Sequence, residues 1–365
     1  MAVANKGCGE RPAEEAGAAG DDDVHAPSNP ESTGKIPFII CGITNSIEPA
    51  ARVTLGHWLL ALTVSAISLL LAMAAAELVL RWRAIGPIPR PETSLHYRHD
   101  PLLGWRPGPH DTRTVLGAHL FQVSHNSDGF RDREHGPKTR PRILVLGDSF
   151  VWGFDVEQPE RFTELVQQGL PGWELINAGV SGYGTDQEYL LLQEIFTKYQ
   201  PDVVFVMFCA DNDRLENSVN EAYGFSKPYF VRERGELALK GTPVPVAETF
   251  WFNDHPALFS IRLTRTIARA LRHRRIIQVP DPTLDLMGLI ERYVAARHVQ
   301  LLVGLTLEDS ELERYLAASR IPALTVPGDL ERYPSFGLHW TPRSHQIVAR
   351  LVLDALKPLL ARAAN

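Results

Sequence analysis

The stretch Ile143-Leu144-Val145-Leu146-Gly147-Asp148-Ser149-Phe150 decides the fold that we expect for this chain. Four consecutive apolar residues are typical of a strand buried on both faces, as in a parallel sheet. The strand ends abruptly in Gly-Asp-Ser, where glycine permits a sharp turn. Because ligands of parallel α/β sheets bind beyond the carboxyl ends of the strands, this turn would present the Ser149 hydroxyl to a substrate. The alternative is a structural turn in which Asp148 or Ser149 only caps a helix.

Apolar runs and helical stretches alternate around this first strand. Further strands are predicted at 174–176, 203–208, 301–305 and 323–326, and the clearest helices at 187–198, 284–297 and 346–360. Such alternation predicts an α/β fold with three αβα layers and a mostly parallel five-stranded sheet over residues 141–361.

An insertion rich in aromatic residues and proline interrupts the alternation at about 214–280. We expect it to cover the active-site end of the sheet, with aromatic residues such as Trp251 and Phe252. A basic helix is predicted at 261–275. Its arginines would lie on a solvated face, or against an anionic head group or polysaccharide.

Three further fragments are expected at the same edge of the sheet as Ser149. Residues 177–184 form a glycine-rich turn whose backbone N–H groups can approach a ligand. Asp211-Asn212-Asp213 follows the third strand and offers a side-chain amide as a donor. His339-Trp340-Thr341-Pro342 places a histidine before a helix that Thr341 can cap and Pro342 can begin. Each fragment is weak alone, whereas their shared position at strand and helix ends indicates one site.

In sequence and in order, these four blocks resemble those of the SGNH/GDSL hydrolase family, particularly its bacterial members with an N-terminal membrane segment. The resemblance extends as a pattern over about residues 96–357. It includes the stretches 100–105 and 126–132, upstream of the catalytic turn. It implies an SGNH, flavodoxin-like fold for the main domain.

The resemblance also implies a site. Ser149 would be the nucleophile and His339 the general base, while the backbone N–H of Gly182 and the side-chain amide of Asn212 would stabilise the oxyanion. The expected reaction is a two-step acyl transfer from an ester to Ser149 and then to water.

One position departs from the family's pattern. Family members usually carry an aspartate two or three residues before the histidine, but Gly337 and Phe336 stand there in this chain. Three interpretations remain open. A backbone carbonyl could orient His339, the carboxylate of either Asp329 or Glu331 could reach it from the preceding loop, or the site could be inactive. An imidazolium without an orienting carboxylate is less stabilised.

The N-terminal part of the chain carries a hydrophobic segment. Residues 58–76 contain no charged side chain and nearly span a bilayer core, which predicts a transmembrane helix or signal anchor at 57–80. A buried core helix and a signal peptide cleaved near Ala74-Ala75-Ala76 are the alternatives. Residues 1–56 are expected to be a disordered tail. Residues 84–140 are expected to form an extension with a hairpin, its strands at 113–116 and 119–125 joined through Gly117.

The charges that flank this segment leave its orientation open. Arg81, Arg83 and Arg90 follow it and only Arg52 precedes it closely, so the positive-inside rule would place the large domain in the cytoplasm. We nevertheless favour a single-pass protein whose catalytic domain is extracytoplasmic, in the periplasm.

Composition excludes several classes of function. A net charge of −6 provides no basic surface for nucleic acid. Cys8, Cys41 and Cys209 are odd in number and scattered, which predicts neither a disulfide framework nor a metal site. No cofactor or metal is expected.

The sequence therefore predicts a membrane-anchored, cofactor-free esterase or deacylase that acts on O-acyl esters of a carbohydrate or lipid. An O-acyltransferase that modifies a glycan is the first alternative. A catalytically silent, SGNH-like binding module is the second, motivated by the missing aspartate and the aromatic insertion.

Overall fold

The computed structural model of this protein describes residues 54–82, 95–246, 276–334 and 337–363. Most of the predicted tail, the aromatic pair Trp251 and Phe252, the predicted basic helix at 261–275 and Phe336 lie outside these residues.

The hydrophobic segment forms a single helix, α1 (Leu55–Trp82), slightly longer than the predicted 57–80. Its 28 residues extend about 42 Å at about 1.5 Å per residue, which exceeds the roughly 30 Å of a bilayer's hydrocarbon core. The helix is long and apolar enough to cross a membrane. Its leucines are exposed, Leu70 by 61%, as expected of a helix that meets lipid and not of the core helix of a soluble domain. The helix thus fits the predicted membrane span.

The segment before the main sheet contains two antiparallel pairs: β1 (Tyr97–Asp100) with β2 (Gly104–Pro107), and β3 (Thr112–Leu116) with β4 (Leu120–Ser124). The second pair is the hairpin that the sequence predicts around Gly117. We call it the extension hairpin.

The remaining strands are β5 (Arg142–Gly147), β6 (Glu174–Asn177), β7 (Val203–Phe208), β8 (Glu221–Ala222), β9 (Phe225–Ser226), β10 (Tyr229–Glu233), β11 (Glu236–Lys240), β12 (Gln300–Leu305) and β13 (Ala323–Thr325). The remaining helices are α2 (Ser149–Trp152), α3 (Phe162–Gly169), α4 (Thr185–Tyr199), α5 (Asp213–Asn217), α6 (Thr283–Ala295), α7 (Ser310–Ala318) and α8 (Pro342–Ala363), with a 3-10 turn at Gln158–Glu160.

Five strands form the central sheet in the order β13-β12-β7-β5-β6, and every neighbouring pair is parallel. These are the five strands predicted from the apolar runs, with ends that agree to within one residue. The two small hairpins β8–β9 and β10–β11 belong to the predicted insertion.

Side chains of β5 alternate between two cores because successive residues of a strand point to opposite faces. Leu144 and Leu146 pack with α4, α6 and α7, whereas Ile143 and Val145 pack with α3 and α8. Helices thus cover both faces of the sheet, which confirms the predicted three-layer αβα fold. All the parallel strands then end at one edge, where ligands bind in such sheets.

His345 joins α8 to the start of α3. Its Nδ1 accepts the Phe162 backbone N–H at 3.1 Å, and its ring stacks on Phe162. Burial lowers the pKa of His345 to about 3, so the ring is neutral in the folded chain at neutral pH. His345 therefore has a structural role between these two helices.

Acid is expected to destabilise the fold through His345. Below pH 6.5 the unfolded chain binds a proton that the folded ring refuses down to about pH 3, so each pH unit in that window costs about 1.4 kcal/mol of unfolding free energy. His345→Asn places an amide oxygen near the position of Nδ1 and removes the titration. Urea unfolding of the detergent-solubilised chain at pH 7, 6 and 5 should show a flatter decline for the variant. Parallel declines would refute this role.

Candidate active site

Ser149 is the first residue of α2 and follows β5 after a single intervening residue, Asp148. The Asp148 carboxylate accepts the Phe150 backbone N–H at 2.9 Å and thereby caps this short helix. Capping, which the sequence offered as an alternative to function, is performed by Asp148. The half-buried Ser149 hydroxyl lies 3.3 Å from Asp148 Oδ2 and has a second, shorter contact.

That contact is with His339. The two residues are 190 positions apart in the chain, and the structure places His339 Nε2 at 2.9 Å from Ser149 Oγ. His339 is only 5% exposed and precedes α8. An uncharged imidazole nitrogen at this distance can accept the hydroxyl proton as the oxygen attacks.

A carboxylate contacts the other ring nitrogen of the imidazole. Asp155 Oδ2 lies 3.2 Å from His339 Nδ1, and the Asp155 side chain is fully buried. Asp155 lies in the loop between α2 and the 3-10 turn, only six residues after Ser149. Serine, histidine and aspartate thus form a connected chain of hydrogen bonds with the order of a catalytic triad.

This partner corrects the sequence analysis, which left open a backbone carbonyl, Asp329 or Glu331. Asp329 is exposed in the loop after β13, and Glu331 accepts the Thr341 hydroxyl at 3.1 Å. No aspartate close before His339 in sequence fills this role, because the carboxylate comes from the loop beside the serine. The one sequence signal for this role is that Asp155 is an acidic residue six positions after Ser149.

Aromatic rings fix the orientation of the imidazole. The Phe154 ring stacks on His339 with centroids 4.6 Å apart, and Phe150 lies 5.3 Å from it. The His339 carbonyl accepts the Tyr333 backbone N–H at 2.8 Å. The ring is therefore held before substrate binds, which favours catalysis because little reorganisation remains.

Gly182 and Asn212, the two predicted oxyanion donors, are neighbours in space through Tyr223. Gly182 has a φ of 83°, and a side chain there would come within 2.9 Å of the Tyr223 ring. Asn212 Nδ2 lies 3.3 Å from the Tyr223 hydroxyl and donates to Glu216 Oε1 at 3.1 Å. Nδ2 thus donates one hydrogen to Glu216 and the other to Tyr223, so donation to an oxyanion requires that the longer contact with Tyr223 be exchanged.

One cavity of about 620 Å³, a volume suited to a small organic substrate, is lined by Ser149, Gly182, Asn212, Tyr223 and His339. Its walls are mainly apolar and come from the extension, the insertion and the catalytic loops. The apolar lining residues are Leu95, Tyr97, Trp105, Val115, Leu116, Phe150, Phe154, Tyr223, Phe225 and Leu338. The polar residues that converge on it include Ser149, Asn212 and His339.

Buried carboxyl groups lie behind the cavity. Burial raises the pKa of Glu216 to about 7. Burial, together with neighbouring acids that include Asp148, raises the pKa values of Glu188 and Asp213 well above the usual carboxyl range. Protonated carboxyls carry no charge, so Glu188 and Asp213 add little negative potential where an oxyanion would form, whereas Glu216 is partly ionised near neutral pH.

Within the described ranges, Asp148, Cys209 and Asp213 bring their ligand atoms within 4.8 Å of one another, close enough to consider a metal ion. Their atoms already serve the fold, because Asp213 accepts the Cys209 backbone N–H at 2.9 Å and Asp148 caps α2. Burial also raises the pKa of the Cys209 thiol, which disfavours the thiolate that a metal requires. The cluster fits structural hydrogen bonding better than metal binding.

A serine, a histidine and an aspartate in this geometry, at the carboxyl edge of a parallel αβα sheet, define the class of serine hydrolases. Residues 145–347 match the GDSL-like Lipase/Acylhydrolase family. This match covers more than half of the chain, and the protein belongs to that family. It is an ester-cleaving hydrolase, as the sequence predicts.

Solved structures similar to this chain include TesA and two esterases. TesA is 13% identical, with 60% of this chain and 99% of TesA covered and a TM-score of 0.37. The psychrotrophic esterase EstA from Pseudoalteromonas sp. is 14% identical, with 60% and 98% covered and a TM-score of 0.37. A two-domain esterase, CEX, active on acetylated mannans, is 16% identical, with 60% and 49% covered and a TM-score of 0.34. No curated protein sequence matches this chain.

Proposed function

We propose that this protein hydrolyses O-acyl esters of a carbohydrate or lipid, with Ser149 as nucleophile, His339 as general base and Asp155 as the orienting carboxylate. The 2.9 Å contact between Ser149 Oγ and His339 Nε2 carries the proposal, since it joins a hydroxyl and a base at the substrate edge of the sheet.

The mechanism follows from the positions of the donors and acceptors. His339 Nε2 takes the proton of Ser149 as Oγ attacks the ester carbonyl, and Asp155 stabilises the imidazolium. The backbone N–H groups of Ser149 and Gly182 and the amide of Asn212 stabilise the oxyanion. His339 then protonates the departing alcohol. Water, activated by the same imidazole, releases the acid from the acyl-enzyme and restores Ser149.

Asn212→Ala is expected to lower kcat for ester hydrolysis by about 10²- to 10³-fold, because the loss of one oxyanion donor typically has that effect. KM should change little, since the ground-state carbonyl needs this donor less than the transition state does. Steady-state kinetics on a chromogenic ester would measure both. Asn220→Ala, outside the cavity lining, is the matched control. An unchanged kcat in Asn212→Ala would remove Asn212 from the oxyanion site.

The walls of the cavity support an acyl ester as substrate. Aromatic and aliphatic side chains dominate the lining, and they favour burial of an acyl chain or stacking on a sugar ring. The apolar helix α1 would keep the enzyme near membrane-associated esters. Carbohydrate esters are included on the family resemblance that the sequence shows; the similar esterase CEX is active on acetylated mannans.

A fluorophosphonate probe tests the proposed chemistry, because it traps activated serines covalently. The full chain in detergent should label at one site, and Ser149→Ala should abolish labelling. Released free acid indicates an esterase, whereas ester product formed on an added glycan indicates the O-acyltransferase. Absent labelling and absent ester turnover would favour the silent binding module. Asp155 supplies the carboxylate whose apparent lack motivated that alternative.

We further propose that the hydrolase domain lies outside the cytoplasm, anchored by α1. This placement would give the hydrolase domain access to esters at the cell surface. The arginines that follow the helix argue for the opposite orientation. A reporter active only in the cytoplasm, fused after Asn365, should be inactive. An active reporter would overturn the periplasmic placement.

A further inference from the structure

The extension hairpin contacts the proposed triad from outside the hydrolase sheet. The Ala118 backbone N–H, in the turn of the hairpin, donates to Asp155 Oδ1 at 2.6 Å. Asp155 Oδ2 is the oxygen that faces His339. The two oxygens of one carboxylate are thus divided between the hairpin and the imidazole.

We propose that the extension hairpin is a positioning element of the active site, in which Gly117 and Ala118 hold Asp155 in the orientation that His339 requires. This inference rests on the proposed function and assigns part of the catalytic geometry to residues that precede the hydrolase domain.

Gly117 is the residue that permits the close approach. A Cβ atom at this position would lie 1.8 Å from Asp155 Oδ1 and 2.8 Å from the Phe154 ring. The first distance is far inside van der Waals contact, so any larger residue must displace the carboxylate or the turn. Because Phe154 also stacks on His339, a displaced Phe154 would disturb the imidazole as well.

The hairpin is firmly anchored to the loop that carries Asp155. Val115, Phe121 and Val123 form a buried cluster with Trp152, and Phe121 packs edge-on against Phe154 at 5.4 Å. The Gln122 backbone N–H donates to Glu157 Oε1 at 3.0 Å. The hairpin therefore contacts the loop on both sides of residue 155.

Arg131 reinforces this connection. Its buried guanidinium donates to the carbonyls of Gln122 in the hairpin, at 2.7 Å, and of Val156 in the loop, at 2.8 Å. It also donates to the Gly153 carbonyl. Three donors from one rigid, planar group fix the hairpin and the loop to each other.

Asp155 needs such support because its backbone is unfavourable. Its φ is 67°, in the left-handed region that residues other than glycine seldom adopt, and a conformation of this kind persists where the surroundings enforce it. The hairpin is also connected to His339. The His119 ring packs 5.2 Å from the Tyr333 ring, and the Tyr333 backbone N–H donates to the His339 carbonyl.

The test is Gly117→Ala in the full chain in detergent. We expect kcat to fall about 10²-fold with little change in KM, because a misplacement of about 1 Å at a reacting group has that effect. Gly136→Ala is the matched control, since a Cβ atom there meets nothing within 4 Å. Ala118→Pro, which removes the N–H donor, should reproduce the loss and serves as a second variant if Gly117→Ala folds poorly.

A double-mutant cycle separates positioning from general damage. In an Asp155→Ala background the carboxylate is absent and only the contact with Phe154 is left, so Gly117→Ala should reduce fluorophosphonate labelling much less than it does in the unmodified chain. A full additional loss in that background, or wild-type kcat in both hairpin variants, would overturn the positioning role. Failure of the proposed function looks different, because the unmodified chain would then neither label nor hydrolyse esters.

Discussion

Ser149→Ala is expected to lower kcat for ester hydrolysis by roughly 10⁶-fold, the typical effect of removing the nucleophile of a serine hydrolase. Alanine deletes only the oxygen that would form the acyl-enzyme. His339, Asp155 and the oxyanion donors stay in place, so a residual rate of about 10³- to 10⁴-fold over the reaction in water can remain. The half-buried position at the start of α2 tolerates the smaller side chain, and the folded state should persist.

Purified full chain in detergent, assayed with a chromogenic ester, measures this loss. Intact-mass spectrometry during turnover should show an acyl adduct on the unmodified chain and none on the variant. Ser310→Ala provides the control, because this serine is exposed at the start of α7, where Asp309 caps the helix. If Ser149→Ala keeps more than a few per cent of the activity, the nucleophile is another residue.

Much of the fold follows from local sequence alone. Residues 143–146 and 203–208 are uninterrupted apolar runs, and both are central strands that pack helices on two faces. A strand buried on both faces has no polar positions, so its pattern is readable without any partner. The approach of Ser149 to His339 also follows from topology, since the carboxyl ends of parallel strands share one edge.

The orienting carboxylate does not follow from local sequence. Three-dimensional contacts place Asp155 in this role. Its backbone has a φ of 67°, and its carboxylate contacts both the Ala118 N–H and the imidazole. None of these contacts leaves a periodic pattern near His339. The sequence predicts the extension hairpin as an element, but strand propensity cannot show that its turn touches the site. Such contacts depend on tertiary packing of segments that are far apart in the chain.

Asp155→Asn is expected to lower kcat by as much as about 10⁴-fold, although asparagine has the same shape. The reason lies in the hairpin. The Ala118 N–H needs an acceptor, so the amide oxygen of asparagine should occupy the position of Oδ1. The amide NH₂ would then face His339 Nδ1 and donate to it. Nδ1 becomes an acceptor, the ring proton moves to Nε2, and Nε2 can no longer accept the proton of Ser149.

This argument separates Asp155 from a carboxylate that merely supplies negative charge near the site. Asp329→Asn removes the same charge from an exposed residue of the loop after β13 and should leave kcat unchanged. Asp155→Ala lacks the amide donor, so the imidazole is free to choose its tautomer, and this variant should retain more activity than Asp155→Asn. Steady-state kinetics and the rate of fluorophosphonate labelling should give the same ranking of the variants. Equal activity in Asp155→Asn and the unmodified chain would show that His339 works without a carboxylate, as a dyad with Ser149.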